Sequence, residues 1–251
     1  MTTKIEWTQE TWNPVTGCAP IATGCKNCYA REMHRRLSTM GVGKYQHEFG
    51  EIQEHWKLLD EPDRWRKPRR VFVCSMSDLF HEDVSDRFIE ATLRVIADHP
   101  RHTFQILTKR PARMRAVVRR LPNLWVGTSC STQFDVDNLL PDLLECGASQ
   151  RFVSLEPLLG PIDLGAYVGR AFIDGRASNA TYTYNAGLHW MIVGAESGPN
   201  RRPCDLNWIR GIRDQCVDAG VPLFVKQADI GGNLVKMPSI DGRVWKQYPQ
   251  T

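Results

Sequence analysis

Phe104-Gln105-Ile106-Leu107-Thr108-Lys109-Arg110-Pro111 contains a complete structural transition in eight residues. A short, largely apolar run reads as a strand covered on both faces. Three polar residues end it. A proline then opens a helical pattern that continues to Arg120, as the first turn of a helix allows.

The same unit recurs outward in both directions. Val71-Phe72-Val73, Leu124-Trp125-Val126, Phe152-Val153-Ser154-Leu155, Trp190-Met191-Ile192-Val193 and Leu223-Phe224-Val225 are further short runs rich in β-branched or aromatic residues. Between them lie amphipathic segments. Arg87 to Asp98 sets Phe88, Ala91, Leu93, Val95 and Ile96 on one helical face, and Asp135 to Cys146 and Leu206 to Ala219 follow. Gly147 and Gly220 stand where C-cap glycines belong. With a first strand between Ile5 and Trp12, this alternation predicts an α/β fold: an open, partial βα barrel of about six to seven parallel strands joined by right-handed crossovers. The 251 residues suit one domain, 1–251. Two stretches break the rhythm: an insertion at 41–69, with Trp56 and Trp65 among many charges, and a mobile loop or hairpin at 165–188.

Composition narrows the class. At 42% hydrophobic and 24% charged residues the chain has material for a core, which excludes global disorder. No apolar run approaches ~18 residues, so no membrane span is expected. The polar start, with Glu6, does not read as a signal peptide, which predicts a cytoplasmic protein. A net charge of +4 permits a nucleic-acid partner without requiring one. Eight cysteines without a secretory signal point to metal or redox chemistry rather than disulfides.

In parallel α/β sheets ligands bind at the carboxyl ends of the strands. Here those ends read Ser75-Met76-Ser77-Asp78, Thr108-Lys109-Arg110, Thr128-Ser129-Cys130, Glu156-Pro157, Gly194-Ala195-Glu196-Ser197-Gly198 and Lys226-Gln227. Any one could be an ordinary polar loop or helix cap. Six in succession predict one large polar site across the barrel mouth. Cys130 is a candidate hydrogen-atom donor there, against its reading as a small core residue. Arg201 and Arg202 follow the Gly194–Gly198 turn and are candidate phosphate contacts for a polymeric substrate. The helical arginines Arg110, Arg113, Arg115, Arg119 and Arg120 read as a solvated face, and Trp208 and Trp245 as core.

Three cysteines cluster in Gly17-Cys18-Ala19-Pro20-Ile21-Ala22-Thr23-Gly24-Cys25-Lys26-Asn27-Cys28-Tyr29-Ala30, with the spacing C-x6-C-x2-C on a Gly/Pro loop before a helix, Ala30 to Leu37. Cationic neighbours and a helix N-terminus favour thiolates. From these residues alone three readings stay open: unremarkable buried thiols; structural zinc, with His34 or a distant cysteine as fourth ligand; or an iron–sulfur cluster with one iron left free.

The loop and the strand–helix order resemble the radical S-adenosylmethionine superfamily. That resemblance implies a [4Fe-4S] cluster on Cys18, Cys25 and Cys28, with the fourth iron chelated by S-adenosyl-L-methionine. It further implies cleavage of the cofactor to a 5′-deoxyadenosyl radical, and an external electron donor. The common superfamily spacing is C-x3-C-x2-C, and Asn27 replaces the usual aromatic residue before the third cysteine, a contact that Tyr29 can take over. The C-x2-C-Y ending looks like that of spore photoproduct lyase. Nearly end to end, the blocks Trp12–Cys18, Ser75–Phe80, Leu107–Pro111 and Val153–Leu158 resemble a phage and bacterial family known by its three-cysteine motif. That likeness implies isomerisation or another modification of a hypermodified thymine base in DNA. By strand order it also implies cofactor contacts at Ser75, Ser77, Asp78, Thr128 and Ser129, and substrate contacts at Glu156, Glu196 and Lys226. The competing classes are a zinc-stabilised nucleic-acid-binding protein without catalysis and a radical enzyme for a small molecule or tRNA.

Overall fold

The computed structural model describes Thr3, residues 5–168 and residues 187–250. The chain opens with β1 (Glu10–Trp12), β2 (Val15–Thr16) and α1 (Tyr29–Thr39), then β3 (Gln53–Glu54) and β4 (Arg70–Val73). There follow α2 (Asp86–Asp98), β5 (Thr103–Thr108), α3 (Pro111–Val117), β6 (Leu124–Ser129), α4 (Gln133–Glu145) and β7 (Gln150–Leu155). The last part holds β8 (Trp190–Gly194), α5 (Leu206–Ala219), β9 (Leu223–Ile230) and β10 (Asn233–Lys236). The main sheet runs β1-β4-β5-β6-β7-β8-β9-β10 and curls into a half-barrel.

Seven of its strands are parallel, as the alternation predicts, and the expected partial βα barrel is what the chain forms. The eighth is an addition. β10 folds back antiparallel on β9 through Gly231 and Gly232, both left-handed. Beside it, Trp245 and Gln247 bond the first half of β9, so that edge is covered along its length. The insertion at 41–69 supplies β3, which pairs antiparallel with β2, and buries Tyr45, Leu59 and Trp65. Of the loop expected at 165–188, residues 169–186 lie outside the described residues. Among the described residues no helix is long and apolar enough to cross a membrane.

Helix ends follow local chemistry. The Ser85 hydroxyl accepts from Phe88 N–H at the start of α2, and Thr132 and Asp135 form a reciprocal capping box on α4. Gly220 caps α5 in the left-handed region, as expected. Gly147 does not play that part. α4 ends on Cys146 in extended geometry, so no left-handed residue is needed. The helix from Pro111 stops at Val117, three residues short of Arg120.

The two faces of the sheet bury different things. Val71, Val73, Phe104, Ile106, Val126, Val153, Met191 and Val225 join the helices in one core. Their strand neighbours Phe72, Trp125, Phe152, Trp190, Ile192 and Phe224 face the other way, with Trp7, into a second cluster without helix residues. Strand alternation makes the split. Trp190, 0% exposed, is the hub of this second cluster, its ring 5.5 Å from Phe152, 5.7 Å from Trp125, 6.0 Å from Trp7 and 6.2 Å from Phe224. Its indole N–H donates to Gln247 O at 2.9 Å. These aromatics occupy the first halves of the strands. Further along the strands, the same face carries Gly127, Ser154, Gly194 and Lys226.

Gly127 is required by the Phe152 ring, because a Cβ there would lie 2.7 Å from its atoms. Gly127→Ala is therefore expected to destabilise by about 1–3 kcal/mol through overpacking. Combining it with Phe152→Leu should cost less than the sum of the two single changes. Denaturant titration of the two singles and the double checks this, and strict additivity would remove the contact as the cause.

Candidate functional site at the barrel mouth

The cysteine loop begins where the insertion meets the sheet. β2 leads into Gly17, which adopts φ +90°, and a Cβ there would lie 2.0 Å from Glu51 O. Only glycine fits so close an approach. Gly17 also bridges in parallel to Ser77 at the end of β4, and Cys18 N–H donates to Phe49 O at 2.8 Å. Cys18 is thus fixed on two sides. A short turn at Thr23–Cys25 follows, and a Cβ on Gly24 would lie 2.2 Å from Ser131 Oγ. That turn rests on the ends of β6 and β7. Cys28 is the N-cap of α1.

The far side of the loop is tied to β8. Asn27 Nδ2 donates to Glu196 Oε2 at 2.9 Å and to Asn200 O at 2.8 Å. Arg202 clasps the same carboxylate through its Nε at 2.9 Å, its backbone N–H at 2.8 Å and its Nη2, and its Nη1 donates to Thr23 O at 3.1 Å. Burial works against the Glu196 carboxylate, but the hydrogen bonds from Arg202 and Asn27 outweigh it and hold the carboxyl below its ordinary value. Loop 17–28 therefore spans the mouth from β4 to β8.

The other expected residues divide by what their side chains bind. Ser75 Oγ donates to Asn13 Oδ1 at 3.1 Å, Ser77 Oγ to Val15 O at 2.8 Å, and the fully buried Thr128 hydroxyl to Thr108 O at 2.9 Å. Asp78 accepts from Thr108 Oγ1 at 2.7 Å, from Lys109 N–H at 3.1 Å and from Arg110 at 3.2 Å. These groups organise the strand ends. Cys130, 0% exposed, lies in the core, and burial pushes its thiol up. Facing the mouth are Ser129, Tyr29 at 46% exposure, and the ion pair of Lys226 with Glu156. Lys226 is the extra residue of a bulge, since Val193 pairs with Val225 and Gly194 with Gln227. Bulges re-aim side chains beside functional sites. Gly194 leaves room for the Glu156 carboxylate, 3.4 Å from where a Cβ would stand. Burial lowers the Lys226 ammonium, but Glu156 overcomes this and raises it. The Tyr29 phenol is raised by burial, with Lys226 opposing.

Two residues at the end of β5 carry more than the sequence reading assigned. Lys109 Nζ donates to Ser129 Oγ at 2.7 Å. Arg110 is 9% exposed, with Nε on Glu82 at 2.9 Å and Nη1 on Asp78 at 3.2 Å, so it does not belong to a solvated face. Arg113 likewise binds the carbonyls of His81 and Val84. The available signal was position, since both Lys109 and Arg110 directly follow a strand. Asn27 could be found only in three dimensions, because Glu196 is 169 residues away.

The donor set bears on a metal centre. All eight cysteines are free, and Cys18, Cys25 and Cys28 are half-buried. Cys18 feels both other loop thiols electrostatically. Burial, then Asp78, push its thiol up to about 11 against the opposing charge of Arg110. Among the described residues no three His, Cys, Asp or Glu side chains gather tightly enough for one metal ion. His34, a candidate fourth zinc ligand, donates Nε2–H to His47 O at 2.8 Å. By the chemistry of the donor set, three half-buried thiols on one loop are ligands of the kind an iron–sulfur cluster takes. Arg110 Nη2, buried and without a partner, adds a donor suited to an anionic acceptor.

The family model described as "Protein of unknown function (DUF5131)" matches residues 2–249. No curated protein matches the chain. A solved structure of spore photoproduct lyase complexed with dinucleoside spore photoproduct is similar at 13% identity and a TM-score of 0.40, covering 82% of this chain. The chain spans 60% of that structure's length.

Glu196→Ala removes the acceptor shared by Arg202 and Asn27. Bonds to a charged group contribute about 1.5–3 kcal/mol, so amide hydrogen exchange across residues 19–29 should rise roughly tenfold or more. Mass-spectrometric exchange reads this, and an unchanged loop would show that the clasp does not hold it.

Proposed function

The chain belongs to the DUF5131 family, and we propose that it is a radical S-adenosylmethionine enzyme in which Cys18, Cys25 and Cys28 hold a [4Fe-4S] cluster with one iron open to the cofactor. The observation that carries this reading is the placement of the three thiols on one loop stretched across the carboxyl-end mouth, anchored at Ser77, Ser131 and Glu196. When bound, the cluster would supply the one electron, drawn from an external donor, that splits the sulfur–C5′ bond of S-adenosylmethionine into methionine and the 5′-deoxyadenosyl group that abstracts hydrogen. Everything else falls to the chain. Gly17, Gly24 and the Asn27–Glu196–Arg202 clasp set the loop. Tyr29 stands beside the third cysteine, half-exposed, where an adenine ring can stack. The Lys109–Ser129 and Lys226–Glu156 pairs line the mouth and orient polar groups of the cofactor and substrate. Loop and aromatic cluster together restrict water on two sides of the site. Cys130 takes no part, because a hydrogen-atom donor must touch the substrate radical and this thiol is sealed.

The substrate we propose is a modified thymine base presented by DNA, isomerised or otherwise rearranged after hydrogen abstraction. The motif blocks that resemble the three-cysteine family support it, and the mildly basic charge permits it. Arg202 is committed to Glu196. Arg201 reaches Gly232 O with Nη2 and is the better placed of the two for a phosphate. A cytoplasmic setting, where thiols stay reduced, suits eight free cysteines.

Anaerobic reconstitution with iron and sulfide tests the centre. The protein should turn brown with broad absorbance near ~400 nm, since thiolate-to-iron charge transfer requires iron. Cys18→Ala, Cys25→Ala and Cys28→Ala should each lose iron and cofactor cleavage, whereas Cys146→Ala and Cys216→Ala keep both. Wild-type iron content in a single loop variant would sink the assignment. For the polymer, Arg201→Ala should reduce the log–log salt slope of DNA binding by about one and leave cofactor cleavage without substrate unchanged. Equal activity on a free nucleoside and on DNA would overturn the polymeric substrate.

A further inference from the structure

Arg110 is held with unusual completeness for a surface-derived side chain. Its Nε bonds Glu82 and its Nη1 bonds Asp78, while its backbone N–H donates to Thr108 Oγ1 at 2.8 Å. Asp78 is itself fixed by Thr108, by Lys109 N–H and by Phe80 N–H at 3.0 Å. Two of the guanidinium nitrogens are thus satisfied. The third, Nη2, is buried and has no partner. A buried N–H without an acceptor is costly, and a planar guanidinium cannot swing one arm away without moving the others.

Cys18 stands next to this assembly. Ser77, the residue before Asp78, bridges directly to Gly17, the residue before Cys18. Asp78, which Arg110 holds, is therefore one residue from that bridge on one side, as Cys18 is on the other. As a free thiol, Cys18 is a poor acceptor. Bound to iron it would be a thiolate, an acceptor of the kind that Nη2 lacks.

We propose that Arg110 is a positioning residue for the Cys18 corner of the cluster, donating Nη2–H to the Cys18 thiolate once iron is bound, and thereby retaining iron and raising the cluster's reduction potential. The inference rests on the cluster reading above. A donor and a positive charge beside a ligand sulfur stabilise the reduced, more negative state. Outer-shell partners of metal ligands are worth about 10–100-fold in metal affinity.

The test compares reconstituted full-length wild type with Arg110→Met, Arg110→Lys and the control Arg115→Met, which alters an exposed pair with Glu145 and Asp142. Two quantities are read: the rate of iron loss to an iron(II) chelator, and the midpoint potential from an anaerobic titration followed by electron paramagnetic resonance. Arg110→Met is expected to lose iron about tenfold faster or more and to show a more negative potential. Arg110→Lys keeps the charge but, drawn to Asp78 without a third arm, should fall between; the control should match wild type. Wild-type values for Arg110→Met and Arg110→Lys overturn the assignment. So does faster iron loss at an unchanged potential, which marks a residue that only supports the fold. If Arg110→Met does not load, Arg110→Lys decides alone, and wild-type retention and potential there are the overturning result. A wild-type protein that takes up no iron overturns the cluster reading and this inference with it.

Discussion

The contact on which the site depends is the packing of Phe152 over Gly127, beneath Trp190. A curled sheet with helices outside must fill its inner face, and this chain fills only the first half of it. Trp7, Phe72, Trp125, Phe152, Trp190 and Phe224 close that end with ring centroids 4.6–6.2 Å apart in the contacting pairs Trp7–Phe72, Trp125–Trp190, Phe152–Trp190 and Trp190–Phe224, the range in which tilted and edge-on aromatic pairs are favourable. The missing side chain at Gly127 lets the Phe152 ring lie flat against the neighbouring strand. With the bottom sealed, the next inner positions can be small or polar without exposing the core. The polar mouth follows from the aromatic floor.

Across that mouth the cysteine loop is held by contacts of two kinds. Gly17 and Gly24 allow backbone to approach backbone and a serine hydroxyl more closely than any side chain permits. The Asn27–Glu196–Arg202 clasp then ties the far end by charge-assisted bonds, strong because Glu196 is shielded from water. Glycine contacts define position, and the clasp resists displacement. A loop of cysteines needs both if three sulfurs are to meet one object.

The charges of the mouth are mostly neutralised in place. Glu156 answers Lys226, Glu196 answers Arg202, and Asp78 and Glu82 answer Arg110. Pairing limits the desolvation cost of burying ions around a concave site. Lys109 is different, because its bond is to the neutral Ser129 hydroxyl.

Sequence alone determined the sheet. Runs such as Val71-Phe72-Val73 and Trp190-Met191-Ile192-Val193 are legible because burial on both faces demands continuous apolar character, a local property. The polar strand ends and the triple-cysteine loop were legible for the same reason, as both are contiguous. β10 was not, because Leu234 and Val235 lie in a half-exposed hairpin without a strong pattern. The burial of Arg110 was also hidden. In the sequence it heads the run of arginines that α3 carries and so reads as part of a solvated face, and only the approach of Asp78 and Glu82, about 30 residues away, buries it. Likewise nothing near Glu196 announces Asn27 as its partner. Periodicity and composition decide which residues must leave water. Which charges meet once they have left is decided by distances between strands that the chain brings together only on folding.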